Sequence, residues 1–130
     1  MARMIRVAAA QYPVEELQDF AAFEHKLNRM VAEAAANGAQ LLVFPEYSAM
    51  ELTRLAGVDI ARDLQASLAA LQGNLPQYDE AHRAAAERHG VFILAGSAPV
   101  RMDDGRYINR ASLFAPSGKS ASPNKLTMTR

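Results

Sequence analysis

The feature that most constrains the fold is a helical stretch that leads, through one turn, into a short apolar run. Apolar residues recur at helical spacing over residues 20–34, directly after Asp19, a residue type favoured at helix N-termini. Asn37-Gly38 is a typical helix stop, because glycine adopts the left-handed conformation without a Cβ clash. The run 41–44 follows and is closed by Pro45. This order predicts a helix followed by a buried strand.

Other apolar runs alternate with helical stretches along the rest of the chain. Residues 4–10 predict a first strand, so the first three elements form a strand–helix–strand unit. Beyond it, the sequence predicts helices over 59–71 and 77–88, broken at 73–76, and strands over 91–95 and 110–115. A Gly96-Ser97 turn and a hairpin turn at 103–105 would separate these last elements. We therefore predict an α/β fold of four strands and three helices, with a sheet that needs cover on both faces.

Composition excludes several classes of function. The 130 residues carry 14 Lys and Arg against 14 Asp and Glu, so a broad basic surface for nucleic acid is not expected. The apolar stretch at the N-terminus is too short to cross a bilayer, and we expect a cytoplasmic protein without a membrane partner. There is no cysteine, which excludes disulfides, thiolate metal sites and a cysteine nucleophile within these residues.

Glu46 is the candidate for chemistry that position singles out. It follows the predicted strand 41–44 and Pro45, at the end of a strand where α/β folds place their ligand sites. A carboxylate that is partly removed from water there has a raised pKa and can act as a general base. An ordinary solvated loop glutamate is the alternative interpretation, and position alone does not decide between them.

The remaining candidates carry weaker signals. Lys125 follows the last predicted strand and a glycine-containing turn, where its ammonium could stabilise an oxyanion or merely solvate the surface. The histidines lack metal-ligand spacing, so neither a metal site nor a cofactor is predicted. Gly96-Ser97 lacks the glycines of a phosphate loop, and Asn109 is expected to be a turn residue just before a strand.

Four segments, taken in order, resemble the N-terminal half of the nitrilase (carbon–nitrogen hydrolase) superfamily. They cover essentially the whole chain, and FPEYS after GAQLLV is the most specific of them and is similar to amidase-type members. The segments are IRVAAAQYP, EAAANGAQLLVFPEYS, ILAGSAPV and GRYINRASLFAPSGKSASPNKLTM. The resemblance implies that the chain is a portion of a four-layer α-β-β-α sandwich. Residues 1–130 would be the N-terminal part of a single hydrolase domain, and the protein would be a homo-oligomer such as a homodimer.

The resemblance also implies a mechanism and residues that perform it. The family hydrolyses amides or nitriles with a Glu-Lys-Cys triad through a thioester intermediate. By motif match, Glu46 would be the general base and Lys125 would stabilise the tetrahedral intermediate. Tyr47, beside the base, would line the acyl pocket. Aliphatic amides, N-carbamoyl compounds, ω-amides of dicarboxylic acids and nitriles all stay open as substrates.

The sequence departs from the family pattern at the nucleophile. The family cysteine lies downstream of the lysine, and this sequence ends five residues after Lys125. We therefore expect a hydrolase chain truncated before its nucleophile. Two rival interpretations are a degenerate family member or fragment that serves as a binding or assembly module, and an unrelated small α/β binding domain. The second is disfavoured because no glycine-rich phosphate loop follows the first strand.

A first prediction follows from the missing nucleophile. A verified 130-residue preparation should show no amide hydrolysis, because the base has no thiol to activate and no tetrahedral intermediate forms for the lysine to stabilise. Ammonia release from simple amides measures this. Hydrolysis that depends on Glu46 in such a preparation would contradict the prediction.

Overall fold

A computed structural model of the chain describes residues 4–13, 15, 17–56 and 63–122. The strands are β1 (Val7–Ala9), β2 (Leu41–Val43), β3 (Phe92–Arg101), β4 (Tyr107–Phe114) and β5 (Ser120–Ala121). The α-helices are α1 (Phe20–Ala36), α2 (Leu64–Gln72) and α3 (Leu75–His89). A 3₁₀ helix spans Glu46–Ala56, directly after β2.

The strands form one sheet in chain order, β1-β2-β3-β4-β5. β1, β2 and β3 are parallel, with Val7, Leu41 and Phe92 in register across them. β4 and β5 are added as antiparallel hairpins. The α/β class and the strand–helix–strand unit are confirmed, since α1 connects the parallel strands β1 and β2.

The ends of α1 are those that the sequence predicts. The Asp19 side chain accepts a hydrogen bond from the backbone N–H of Ala22 at 2.9 Å, which caps the first turn. Asn37 is the C-cap of the helix, and Gly38 follows with φ +86°, a value that favours glycine. This cap directs the chain back into β2 after only a few residues.

Three expectations from the sequence are wrong. Gly96-Ser97 is not a turn, because β3 runs through it with a shift in register between Ala95 and Ala98. Two residues of β3 there oppose one residue of β4, which is a β-bulge. Within the described residues the sheet has five strands and not four, since Gly118 turns the chain into the two-residue β5. Asn109 lies within β4, paired with Pro99.

The helix predicted over 59–71 is described from Leu64, with Asp63 as its cap, and residues 59–62 lie outside the described residues. The helix predicted over 77–88 is longer in the structure, because it starts at Leu75 with Pro76 in its first turn. Proline is tolerated there, since an N–H in the first turn has no partner within the helix.

Helices cover one face of the sheet, and the other face is partly exposed. One face packs on α1 and α3 and contributes Leu42, Ile93 and Phe114 to the core. Because successive side chains alternate across a strand, their neighbours point to the other face. There Val7, Phe92 and Leu113 are 58%, 44% and 37% exposed. A helix layer on one face and an exposed apolar second face are what half of a layered sandwich should show.

An imidazole lies at the centre of the aromatic core. His82 is 1% exposed, and its ring lies within about 6 Å of the rings of Phe44, Tyr78 and Phe114. Its Nδ1 lies 2.7 Å from the carbonyl oxygen of Tyr78. A carbonyl can only accept, so Nδ1 carries the proton of a neutral ring. Burial lowers the pKa of His82 from 6.5 to about 4.

The buried imidazole predicts a dependence of stability on pH. The unfolded chain takes up a proton on His82 near pH 6.5 and the folded protein only near pH 4, so stability falls as the pH drops through that window. The contribution of this group is roughly 3 kcal/mol. Chemical denaturation between pH 7 and pH 4 measures it. A His82→Gln variant keeps an N–H donor without the titration and should lose less stability in that window; an equal loss would contradict the assignment.

Candidate active site

The candidate site lies where β2 ends. The backbone N–H of Phe44 still donates to the carbonyl oxygen of Leu94 in β3, at 3.0 Å. Pro45 follows, and the 3₁₀ helix begins at Glu46. The structure therefore places the backbone of Glu46 at the carboxyl end of a parallel strand, the edge where α/β sheets hold their ligand sites. The side chains of Glu46 and Tyr47 lie outside what the structure describes, and so does the whole of Lys125.

A glycine of the β3 bulge touches the start of this segment. A Cβ placed on Gly96 would lie 2.0 Å from the carbonyl oxygen of Pro45 and 2.5 Å from the Oγ of Ser48. No side chain fits at such distances, so only glycine allows this approach. The same carbonyl oxygen accepts from the backbone N–H of Ser48 at 3.1 Å. The peptide that precedes Glu46 is thus fixed against β3.

A buried tyrosine connects the same parts from the other side of the bulge. The hydroxyl of Tyr78, on α3, donates to the carbonyl oxygen of Gly96 at 3.0 Å and lies 3.4 Å from the Oγ of Ser48. Tyr78 is 2% exposed, and this burial raises the pKa of its hydroxyl. A neutral tyrosine is therefore a fixed donor at this position, and it joins α3, β3 and the 3₁₀ helix.

Farther along the 3₁₀ helix, a second carboxylate is completely buried. Glu51 is 0% exposed. Its Oε2 accepts from the ammonium of Lys26 at 2.6 Å and from the backbone N–H of Glu15 at 2.8 Å. Its Oε1 accepts from the hydroxyl of Tyr12. Burial, and then the hydrogen bond to Glu51, raise the pKa of Tyr12, so this hydroxyl also stays protonated.

Lys26 completes this buried group. Its ammonium also pairs with the carboxylate of Glu15 at 2.9 Å, donates to the carbonyl oxygen of Pro13 and lies 4.0 Å from the centre of the Tyr12 ring. That ion pair lowers the pKa of Glu15. Every donor of the ammonium is thus used inside the protein. We call Tyr12, Lys26 and Glu51 the carboxylate clamp.

Sequence reasoning missed the carboxylate clamp, although one signal was present. Lys26 lies three residues after Phe23 and one before Leu27, on the apolar face of α1. A charged residue on such a face is buried only with a partner of opposite charge. The partner cannot be identified from the sequence, because Glu51 lies 25 residues farther along the chain.

The described residues hold no group of three or more His, Asp or Glu side chains arranged to bind a metal ion. His82 belongs to the core, and His89 on the same helix pairs with the side chain of Asn28 at 3.2 Å. No helix in the described ranges is long and apolar enough to cross a membrane.

The family follows from a match over nearly the whole chain. The model of the carbon–nitrogen hydrolase family matches residues 6–129. The chain belongs to the carbon–nitrogen hydrolase family. This confirms the resemblance to the nitrilase superfamily, and the segment around Glu46 lies inside the matched range.

Solved structures of this superfamily share the fold. A cysteine-to-serine mutant of the Nesterenkonia AN1 amidase superimposes with a TM-score of 0.60 at 21% identity, over 97% of this chain and 45% of that chain. Another mutant of that amidase, in complex with butyramide, gives 0.58 at 22% identity, over 97% and 44%. The carbon–nitrogen hydrolase of Helicobacter pylori G27 gives 0.64 at 16% identity, over 95% and 40%.

The chain therefore spans less than half the length of these hydrolases. No curated protein matches it. The fold class is confirmed: the sheet with its helix layer is a portion of the nitrilase-type sandwich.

The contact at Gly96 generates a prediction on stability. Gly96→Ala should destabilise the protein by about 3 kcal/mol, because the added methyl group overlaps the Pro45 carbonyl and one of the two backbones must move. Gly73→Ala is the matched control, since its Cβ would meet only ordinary contact at 3.7 Å at a helix end, and it should change stability by less than about 1 kcal/mol. Urea unfolding measures both. Equal, small effects would show that β3 does not hold Pro45.

Proposed function

We propose that this chain is the base-bearing part of a hydrolase of non-peptide C–N bonds, acting on a small amide or nitrile. The observation that carries the proposal is the position of Glu46 at the carboxyl end of β2, within a family match to residues 6–129. The buried contacts of Pro45 and Ser48 support it, because a general base needs a fixed backbone.

Glu46 is the proposed general base. Its carboxylate takes the proton of a cysteine thiol that these 130 residues do not contain, and the thiolate attacks the carbonyl carbon of the amide. The proton then passes to the leaving nitrogen, the C–N bond breaks, and ammonia or an amine departs from a thioester. In the second half, Glu46 takes a proton from water, and the resulting hydroxide attacks the thioester carbon. The C–S bond then breaks, the proton passes from Glu46 to the sulfur, and the acid is released with the thiol and the Glu46 carboxylate restored.

Lys125 is the proposed electrostatic residue. Its ammonium stabilises the negative oxygen of both tetrahedral intermediates, where a preorganised charge is worth most. Tyr47 follows the base directly and is proposed to line the pocket for the acyl group. The amidase complexed with butyramide supports a short aliphatic amide as the first probe. Assembly into a homo-oligomer and a cytoplasmic location stay predictions.

Glu46→Gln tests the base. In the intact protein, turnover should fall by roughly 10²- to 10⁴-fold, because glutamine cannot accept the thiol proton. Glu24→Gln is the control, an exposed carboxylate on α1 that should leave turnover unchanged. Ammonia release is measured with butyramide, butyronitrile and an N-carbamoyl amino acid. Turnover that is equal in the two variants would contradict the role of Glu46.

Lys125→Ala tests the lysine. We expect a loss of roughly 10²- to 10³-fold in kcat, since the developing oxyanion loses its charged partner. Lys119→Ala removes an exposed lysine from the β4–β5 turn and should have no effect. The same assay serves both. A kcat for Lys125→Ala that matches Lys119→Ala would remove the lysine from the mechanism.

The second candidate function is a non-catalytic assembly module. The exposed Val7, Phe92 and Leu113 on one sheet face favour it, because apolar surface of this kind marks an interface. The two functions differ in one result. An intact protein that is folded, that hydrolyses none of the three probes and whose self-association is lost in Phe92→Ser is an assembly module.

A further inference from the structure

The carboxylate clamp has no role in the chemistry proposed above, yet it is the most completely buried charged group of the described residues. Glu51 is 0% exposed and the side chain of Lys26 is 5% exposed. No buried side-chain nitrogen or oxygen in the described part of the chain lacks a partner. A closed and satisfied group of this kind leaves no free donor or acceptor for a ligand.

Stability alone is a weak reason for such a group. A buried ion pair loses its hydration on both sides, and well-packed apolar residues of similar volume usually stabilise a protein as well or better. In some proteins a buried ion pair instead specifies position, because only one arrangement satisfies every donor and acceptor.

The clamp joins three segments that the sequence separates. Tyr12 belongs to the segment after β1, Lys26 to α1, and Glu51 to the 3₁₀ helix that begins at Glu46. The backbone N–H of Glu15 adds a second contact from the first segment. Glu51 is thus the side chain through which the 3₁₀ helix is tied to α1 and to the strand end of β1.

The 3₁₀ helix needs contacts of this kind. It has 11 residues, whereas helices of this type rarely exceed one turn because their hydrogen bonds are poorly aligned. Its start is held by the contacts of Pro45 and Ser48 with Gly96 and Tyr78. The clamp holds it five residues later, about 10 Å along the axis at 2.0 Å per residue. Contacts at two places along the helix fix the direction of its axis, whereas contacts at its start alone do not.

We propose that Tyr12, Lys26 and Glu51 are positioning residues that orient the 3₁₀ helix, and with it the backbone of Glu46, for the hydrolase reaction. The inference rests on the proposed role of Glu46. Loss of the clamp lets the 3₁₀ helix rotate about the contacts that Pro45 and Ser48 make at its start. That rotation changes the orientation of the Glu46 backbone, and a displacement of about 1 Å at a catalytic group lowers turnover by up to roughly a hundredfold.

Graded variants of the intact protein test the proposal. Glu51→Gln replaces one acceptor oxygen by an N–H₂ group that faces donors. Tyr12→Phe removes a single hydroxyl and is the milder variant, which we expect to fold. Val31→Ala is the matched control, because Val31 is buried on α1, belongs to the apolar core and is not one of the clamp residues. Melting temperatures establish that each variant is folded at the assay temperature.

Amide hydrogen exchange measures how readily residues 46–56 open locally, and it needs no substrate. Exchange in residues 46–56 should accelerate roughly tenfold or more in Glu51→Gln and less in Tyr12→Phe, because local opening becomes easier there. Val31→Ala should leave this segment at the rate of the wild type. If Tyr12→Phe and Glu51→Gln exchange like the wild type over residues 46–56, the clamp does not position the 3₁₀ helix and the inference fails.

Kinetics separate positioning from a merely structural role. With butyramide as probe, Glu51→Gln should lower kcat by roughly tenfold to a hundredfold with little change in KM, and Tyr12→Phe by less. Val31→Ala should keep the kcat of the wild type even if its melting temperature falls as far as that of the clamp variants or farther. If all three variants lower kcat only in proportion to their loss of stability, the clamp is structural and the inference is overturned.

The two proposals fail in different ways. If Glu46→Gln leaves turnover unchanged, the proposed function is wrong whatever the clamp variants do. If Glu46→Gln abolishes turnover while Glu51→Gln and Tyr12→Phe retain the kcat of the wild type, the function stands and the positioning inference falls.

Discussion

The approach of the β3 backbone to the carbonyl oxygen of Pro45 is the contact on which the candidate site depends. It requires a residue without a Cβ at position 96, since any Cβ would lie 2.0 Å from that oxygen. It also requires the bulge in β3, because the register shifts between Ala95 and Ala98 where Gly96 lies. The end of β2, the start of the 3₁₀ helix and the bulge are thus parts of one arrangement.

Buried polar groups extend that arrangement in two directions. Tyr78 joins α3 to the bulge and to Ser48, and Glu51 joins the 3₁₀ helix to Lys26 on α1. Each of these groups is costly to bury alone and favourable only with its partners in place. The helices on one face of the sheet therefore hold the 3₁₀ helix at the carboxyl edge of the sheet. The backbone of Glu46, the proposed base, lies in that segment and is held from several sides.

The sequence predicted the elements whose signals are local. α1 and β2 follow from a helical period, the Asp19 cap and the Gly38 stop, which all lie within a few residues of one another. The sequence predicts a turn where the structure has a bulge, because a glycine is typical of both and only the pairing with β4 distinguishes them. The burial of Glu51 could not be predicted either, since its partners lie 25 and 39 residues away. The motif FPEYS identifies the family. No pattern in the sequence identifies the buried contacts that hold the backbone of this motif in place.

A crystal structure of the intact protein tests the role of Glu46 directly. We predict that the Glu46 carboxylate lies within about 3–4 Å of a cysteine sulfur supplied from outside these 130 residues, since a base must reach the proton it removes. The ammonium of Lys125 should face the same cavity. A Glu46 carboxylate that faces solvent, with no cysteine or other nucleophile within reach, would contradict its role as the base.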